Sequence, residues 1–331
     1  MYREIFDLLA QDGRAKSAVV LTGESTGARC VWKEGRLCPI DTAASFRWEP
    51  WENALSDIHE TGLLTAGEQK IFVEVYSRNP RLVLLGGGHV SRPVAHIASL
   101  LGFSVTVMDD RQEFITEERF PEAEERILGT FDTLSEKIPE YENSYYVAVT
   151  RGHAGDTVCA RQILKRPYKY FGMIGSRTKV RITREKLLEE GFSPESLDTI
   201  HAPIGLPIGG ETPEEIAVSI VAEMVQEKNK SRESFADEKI LDAVRAGRRG
   251  VMMTIVRKDG SSPRGVGSKL FLDKEGMLYG SIGGGNVEYE ALKLAGQIKK
   301  PCLVSYHFSP GDSRNLGMIC GGNVDVFFEC I

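Results

Sequence analysis

The stretch Arg81-Leu82-Val83-Leu84-Leu85-Gly86-Gly87-Gly88-His89-Val90-Ser91 decides the fold. Leu82 to Leu85 is a continuous apolar run, as expected for a strand buried on both faces. Three glycines follow at once. From Val90 to Leu101 a helical period places Val94, Ile97, Ala98 and Leu101 on one face, and Gly102 stands where a C′ glycine ends a helix. A second apolar run, Phe103 to Met108, stops at Asp109-Asp110. Strand, glycine turn, helix and strand within about thirty residues predict a right-handed βαβ unit in a parallel sheet.

The alternation continues downstream. Tyr145 to Val149 runs into Thr150-Arg151-Gly152-His153, and Tyr170 to Ile174 into Gly175-Ser176-Arg177. In open parallel sheets ligands sit beyond the carboxyl ends of the strands, where these polar and glycine residues fall. Thr212-Pro213-Glu214-Glu215, ahead of Ile216, Ile220, Val221 and Met224, predicts a capping box with proline at N1.

The flanking segments read as two versions of one module. Each opens with an amphipathic helix (Ile5, Leu8, Leu9; Ile240, Leu241, Val244) and a Gly-Arg pair, Gly13-Arg14 or Gly247-Arg248. Each continues through an apolar strand, a Gly/Ser turn and Lys-Glu-Gly, and closes on an aromatic strand, Ile71–Val75 or Val324–Glu329. The first copy is shorter and lacks the glycine clusters of the second. The expected fold class is α/β: a Rossmann-like parallel sheet flanked by smaller α+β modules, the shortened copy N-terminal and the intact copy C-terminal. The expected boundaries are 1–79, 80–228, a polar linker at 229–238, and 239–331.

With 331 residues the chain is long enough for two or three domains. At 41% apolar and 27% charged residues it has a globular composition. A net charge of −6 argues against a nucleic-acid partner, because no basic excess is available for phosphates. Asp7 and Asp12 interrupt any secretory signal, and no apolar run approaches the roughly 20 residues of a membrane helix. A cytoplasmic protein without a membrane partner is expected. Six scattered cysteines without C-x-x-C predict free thiols.

Three groups of residues are candidates for chemistry. Gly86, Gly87, Gly88 and His89 match G-x-G-x-x-G at its first two glycines, with Ser91 at the third, and Asp109 ends the next strand as a ribose-binding acid would. Arg151, His153, Ser176 and Arg177, with His201, offer phosphate-gripping and proton-carrying groups at strand ends. In the C-terminal module Ser261, Ser262, Arg264, Gly283, Gly284, Gly285 and Cys320 lie in three glycine-dense loops suited to a polar, anionic heterocycle. Each has a plainer alternative: a Rossmann crevice without a nucleotide, hydrogen-bonding histidines, glycines serving only turns, and Cys320 as a small apolar residue. His153 and Cys320 are the candidates for a catalytic role.

Taken jointly, these motifs resemble the XdhC/CoxI family of xanthine dehydrogenase accessory factors. The motifs are Leu85-Gly86-Gly87-Gly88-His89-Val90, Thr150–His153, Gly172–Arg177, His201-Ala202-Pro203-Ile204-Gly205-Leu206, Glu211–Ala217, Gly260–Arg264, Gly280–Gly285 and Cys320-Gly321-Gly322. The resemblance covers most of residues 80–331 and implies binding of the molybdenum cofactor (molybdopterin). It also implies sulfuration with the help of a cysteine desulfurase, and delivery to an apo xanthine dehydrogenase or related molybdenum hydroxylase of purine catabolism. Two features depart from the family pattern: the intact glycine-cluster module follows the Rossmann segment, and Asn286 stands where relatives often carry cysteine. The alternative is an NAD(P)-dependent oxidoreductase using the unit from Gly86 to Asp109. A chaperone-like cofactor carrier is favoured over a turnover enzyme, since His89 and His153, the nearby candidates for a proton donor to a nicotinamide, have no decisive context; direct purine oxidation is disfavoured because no Fe–S cysteine spacing is present. Exposed strand edges in the β-rich modules make a homodimer an expectation.

Overall fold

Helix α1 (Tyr2–Asp12) opens the chain. After it come strands β1 (Arg14–Val20), β2 (Arg29–Lys33) and β3 (Arg36–Pro39), helix α2 (Glu52–Ser56), and strands β4 (Gly62–Ala66) and β5 (Gln69–Ser77). The parallel unit holds β6 (Arg81–Leu85), α3 (Ser91–Leu100), β7 (Ser104–Asp109), β8 (Ala123–Leu128), α4 (Leu134–Lys137) and β9 (Ser144–Ala148). It continues with α5 (His153–Ile163), β10 (Tyr170–Met173), α6 (Arg177–Glu189), α7 (Pro194–Asp198), β11 (Ile200–His201) and α8 (Pro213–Lys228). The rest of the chain forms β12 (Ser234–Phe235), α9 (Glu238–Arg245), β13 (Gly250–Gly260), β14 (Lys269–Asp273), β15 (Leu278–Gly280), α10 (Gly285–Ala295), β16 (Cys302–Phe308) and β17 (Gly322–Cys330). The computed structural model describes residues 2–33, 35–40, 46–66, 68–231, 233–235, 237–260, 264–308 and 322–331.

Asn79–Ser231 form one unit, and Met1–Arg78 together with Arg232–Ile331 form the other. In the first, six strands lie in the order β11-β10-β9-β6-β7-β8, all parallel. Numbered from β6, this is the 3-2-1-4-5-6 order of a Rossmann sheet, with the reversal point between β6 and β9. The apolar run that marked β6 is divided by the pleat. Leu82 and Leu84 join the core under α3 and α8, with Val94, Ala98, Ile220 and Met224. Val83 and Leu85 face the opposite core, with Cys159, Ile163 and Leu187 of α5 and α6. Gly102 takes φ +79° after α3, as a C′ glycine does. The capping box of α8 forms as read: Thr212 Oγ1 accepts from the Glu215 amide, and Glu215 Oε2 accepts from the Thr212 amide.

The flanking segments, expected at 1–79 and 239–331 as two modules separated by the parallel sheet, share one unit. Its antiparallel sheets run β4-β5-β1-β2-β3 and β16-β17-β13-β14-β15, the same order twice. The repeat read from the sequence is therefore visible in topology. The two copies join because each sheet has apolar side chains on both faces. One face of each covers its own copy: Ala18, Val20, Cys30 and Ile71 under Trp48 and Leu55, and Met253, Ile255 and Leu270 under Val287 and Ala291. Other apolar residues are shared, Ile5, Phe6, Leu9 and Val31 packing with Ile240, Ala243, Met252 and Phe271, and Val19 and Phe72 with Val256 and Phe327. The segment read as a linker, 229–238, carries β12, which pairs in parallel with β5 and buries Ser234 against Thr61.

Candidate functional site

At the reversal point of the parallel sheet, the three glycines after β6 have different reasons to be glycine. Gly86 takes φ +111°, and a Cβ there would stand 2.5 Å from the Val149 carbonyl oxygen. A Cβ on Gly87 would stand 2.2 Å from the carbonyl oxygen of Phe114. Around Gly88 there is open space, with no atom within 4 Å of a built Cβ. Two glycines thus serve packing, and the third leaves the turn approachable. Among the described residues the amides of Gly88 and His89 have no hydrogen-bond partner, and they lead into the N-terminus of α3, where the helix dipole favours negative charge.

Asp109, expected to accept from a ribose diol, is turned inward and is 1% exposed. Oδ2 accepts from the Gly87 amide at 2.7 Å and from Arg111 Nη2 at 3.0 Å; Oδ1 accepts from the Arg111 amide at 3.0 Å and Arg111 Nε at 2.9 Å. A carboxylate has about four acceptor positions, and all are used within the protein. Burial alone would raise this carboxyl, but the Arg111 side chain and the Gly87 and Arg111 amides hold it below its ordinary range. The Arg111 guanidinium lies 3.5 Å from the Phe114 ring centroid, with Arg119 at 4.8 Å on the same ring. Arg119 Nη2 also donates to the Gly87 carbonyl at 3.1 Å. At the position where the sequence puts a ribose contact, Asp109 is bonded to Arg111, whose guanidinium lies over the Phe114 ring.

The strand-end residues of the second group have other duties as well. Arg151 donates to both oxygens of Asp110, at 3.0 and 2.8 Å, tying the loop after β9 to the end of β7. Thr150 Oγ1 donates to Asp156 Oδ1 at 2.6 Å, fixing the turn into α5. His153 is the first residue of α5, and its side chain lies outside the described residues. Ser176 caps α6 by accepting from the Lys179 amide, and Arg177, the next residue, is exposed beyond the end of β10. His201 is bound into a clamp the sequence did not reveal. Its Nδ1 lies 3.4 Å from Glu223 Oε1, while Glu223 Oε2 accepts from Tyr170 Oη at 2.5 Å and from the Gly205 amide at 3.0 Å. Burial would raise the Glu223 carboxyl, but these three donors hold it low.

A cleft of about 430 Å³ opens beside the glycine turn. His89, Arg92 and His96 line it from α3 and the turn before it, at helical spacing, and Arg119 and Glu122 face them. His96 Nδ1 is 2.6 Å from Glu122 Oε1. Arg92, His96 and Arg119 were not singled out from the sequence. The i, i+3, i+7 spacing of His89, Arg92 and His96 marks one helix face, but nothing in sequence placed Arg119 opposite it.

The C-terminal glycine cluster belongs to the other unit. Gly283, Gly284 and Gly285 have φ of +115°, +66° and +60°, so the loop requires glycine at three consecutive positions. Glu288 Oε2 accepts from Ser281 Oγ and from the Ile282 and Gly284 amides, and Ser281 Oγ accepts from Gly283. The amides expected to be exposed donors are thus largely satisfied by Ser281 and Glu288. Arg264 is exposed; Ser261, Ser262 and Cys320 lie outside the described residues. The five described cysteines are free thiols. No helix among the described residues is long and apolar enough to cross a membrane.

Comparison with known proteins agrees with the Rossmann topology of the parallel unit. The profile of the XdhC Rossmann domain matches residues 82–224, and that of the XdhC and CoxI family matches residues 243–307. Over 164 residues the chain is 35% identical to the Escherichia coli protein YqeB, covering 49% of this chain and 30% of the relative. Over 160 residues it is 32% identical to a Bacillus subtilis protein named as a probable xanthine dehydrogenase subunit, covering 48% and 46%. The chain thus spans less than half the length of these curated relatives. A Bacillus halodurans crystal structure described as a xanthine dehydrogenase shares the fold, with a TM-score of 0.53 and 24% identity over 69% of this chain and 63% of that one. The two profile matches together span more than half of the sequence, and the chain belongs to the XdhC and CoxI family.

Proposed function

We propose that this protein is an accessory factor for a xanthine dehydrogenase-type molybdenum hydroxylase, which binds the molybdenum cofactor and passes it to the apo-enzyme in the cytoplasm. Family membership supports the accessory role. The observation that carries the choice against an NAD(P)-dependent oxidoreductase is Asp109, whose acceptor positions are filled by Gly87 and Arg111. A dinucleotide would find no free carboxylate for its ribose diol at the end of β7.

A pterin bearing a phosphate is the ligand this reading assigns to the turn and to the cleft beside it, where Glu118, Glu122 and Glu214 stand among the basic residues. The amides of Gly88 and His89 and the α3 N-terminus suit the phosphate, and the cleft lined by Arg92 and Arg119 offers guanidinium donors to a polar ring. Its volume falls in the usual range for small-molecule sites, roughly 300–1,000 Å³. When bound, the cofactor supplies the metal centre used by the recipient hydroxylase. The chain's own part is to hold the phosphate, orient the ring and keep water away while a cysteine desulfurase provides the terminal sulfur.

The test is calorimetric titration of the protein with anaerobically prepared molybdenum cofactor and, separately, with NAD and NADP. Saturable binding of the cofactor with no dinucleotide binding is expected. Tight NAD or NADP binding without cofactor binding would make the oxidoreductase reading primary.

A further inference from the structure

The two copies in the antiparallel unit agree in register as well as in order. Val19 pairs with Arg29 on one side and Phe72 on the other; Thr254 pairs with Lys269 and Phe327. Two residues earlier, Ser17 is opposite Glu74 and Met252 is opposite Glu329. Arg29 and Lys269 are therefore equivalent positions, as are Glu74 and Glu329. In space each cation bonds the acid of the other copy. Arg29 Nη2 reaches the two Glu329 oxygens at 2.8 and 3.1 Å, and Lys269 Nζ bonds Glu74. All four side chains are at most 9% exposed. Tyrosines follow the pattern in part, Tyr2 donating to Glu329 and Tyr76 to Glu74.

Contacts in which i meets j and j meets i are the signature of an isologous two-fold interface, normally formed between two chains. We infer that residues 1–78 serve as a built-in partner subunit, occupying in cis the face of the C-terminal copy that a second chain would otherwise cover. The shared cores follow the same division, with Ile5, Phe6 and Leu9 of one copy packed on Ile240 and Ala243 of the other. Only the C-terminal copy carries the glycine loop. In the corresponding connection after β3, Ile40-Asp41-Thr42-Ala43-Ala44-Ser45-Phe46 contains no glycine. The N-terminal copy has kept the residues of the interface and not those of the loop, so each such interface holds one glycine loop instead of two.

Two experiments on the full chain test this. Gly27 packs against Pro301, a built Cβ there lying 2.6 Å from the proline ring. A benzophenone amino acid at Thr26, in an equal mixture of isotopically light and heavy chains, should after irradiation join peptides around Pro301 only light to light and heavy to heavy. Light-to-heavy adducts in about half of the products would show that the face is filled by another chain and would overturn the inference. In the second experiment, Arg29→Glu and Glu329→Arg should each lower the unfolding midpoint, and the double reversal should lower it by less than the two losses combined. Additive or larger losses would remove the crossed pairing on which the inference rests.

Discussion

The amide of Gly87 donates to Asp109 Oδ2 at 2.7 Å, so the glycine turn and the acid at the end of the next strand hold each other. In a dinucleotide-binding sheet these two places face the ligand. Here they form an internal clasp completed by Arg111. The Rossmann topology is intact, and the acid at the end of its second strand is bonded within the protein; a fold of this kind does not by itself assign a ligand.

The clasp has a pH signature. Because the Asp109 carboxyl is held below its ordinary value in the folded state, its stabilisation is complete above about pH 4, the unfolded value. It is lost as pH falls through the lower folded value. The stability difference between the native protein and Asp109→Asn should be largest near neutrality and shrink below about pH 4. Equal differences at pH 7 and pH 3 in denaturant titrations would contradict the assignment.

Removing one member of a buried ion pair leaves a charge without its partner, at a cost of about 3–5 kcal/mol. Arg29→Ala, which strands Glu329, should lose stability on that scale in urea unfolding. Arg29→Met combined with Glu329→Leu should lose less, since neither charge is then left buried. A single variant within about 0.5 kcal/mol of the native protein would sink this account of the interface.

The three glycines should separate in substitution. Gly86→Ala meets the Val149 carbonyl at a positive φ and should destabilise by more than about 1 kcal/mol. Gly88→Val adds its side chain in open space, so folding should survive while ligand approach to the turn is blocked. Thermal melts and cofactor titration of both variants check the contrast; unimpaired cofactor binding by Gly88→Val would remove the turn from the site.

Glu288 is placed to organise the second glycine cluster, accepting from Ser281, Ile282 and Gly284. Glu288→Ala should loosen this loop and speed amide exchange at 282–284. Unchanged exchange would mean the three positive-φ glycines hold the loop by themselves.

Local patterns carried much of this fold. The apolar run at 82–85, the glycine at 102 and the capping box at 212–215 are short-range signals, and each element formed where its signal lay. The repeat of the flanking modules was legible for the same reason. Their union was not, because Arg29 and Glu329 are 300 residues apart and nothing in a linear pattern pairs a strand cation with a distant acid. Asp109 shows the same limit at the site. Its position at a strand end was readable, while its orientation depended on Arg111 two residues on and on the packing of Phe114 against Gly87. His201 is likewise held by Glu223, on a helix 22 residues later, a pairing that no local pattern around His201 encodes.

Reconstitution of an apo-hydroxylase measures whether this protein passes cofactor to a recipient enzyme. The protein loaded with molybdenum cofactor is mixed with an apo xanthine dehydrogenase-type hydroxylase, and recovered activity is compared with an equal amount of free cofactor under the same anaerobic conditions. Faster and more complete recovery is expected from the loaded protein, with Gly88→Val giving no advantage over free cofactor. Recovery from the loaded native protein no better than from free cofactor would contradict this expectation.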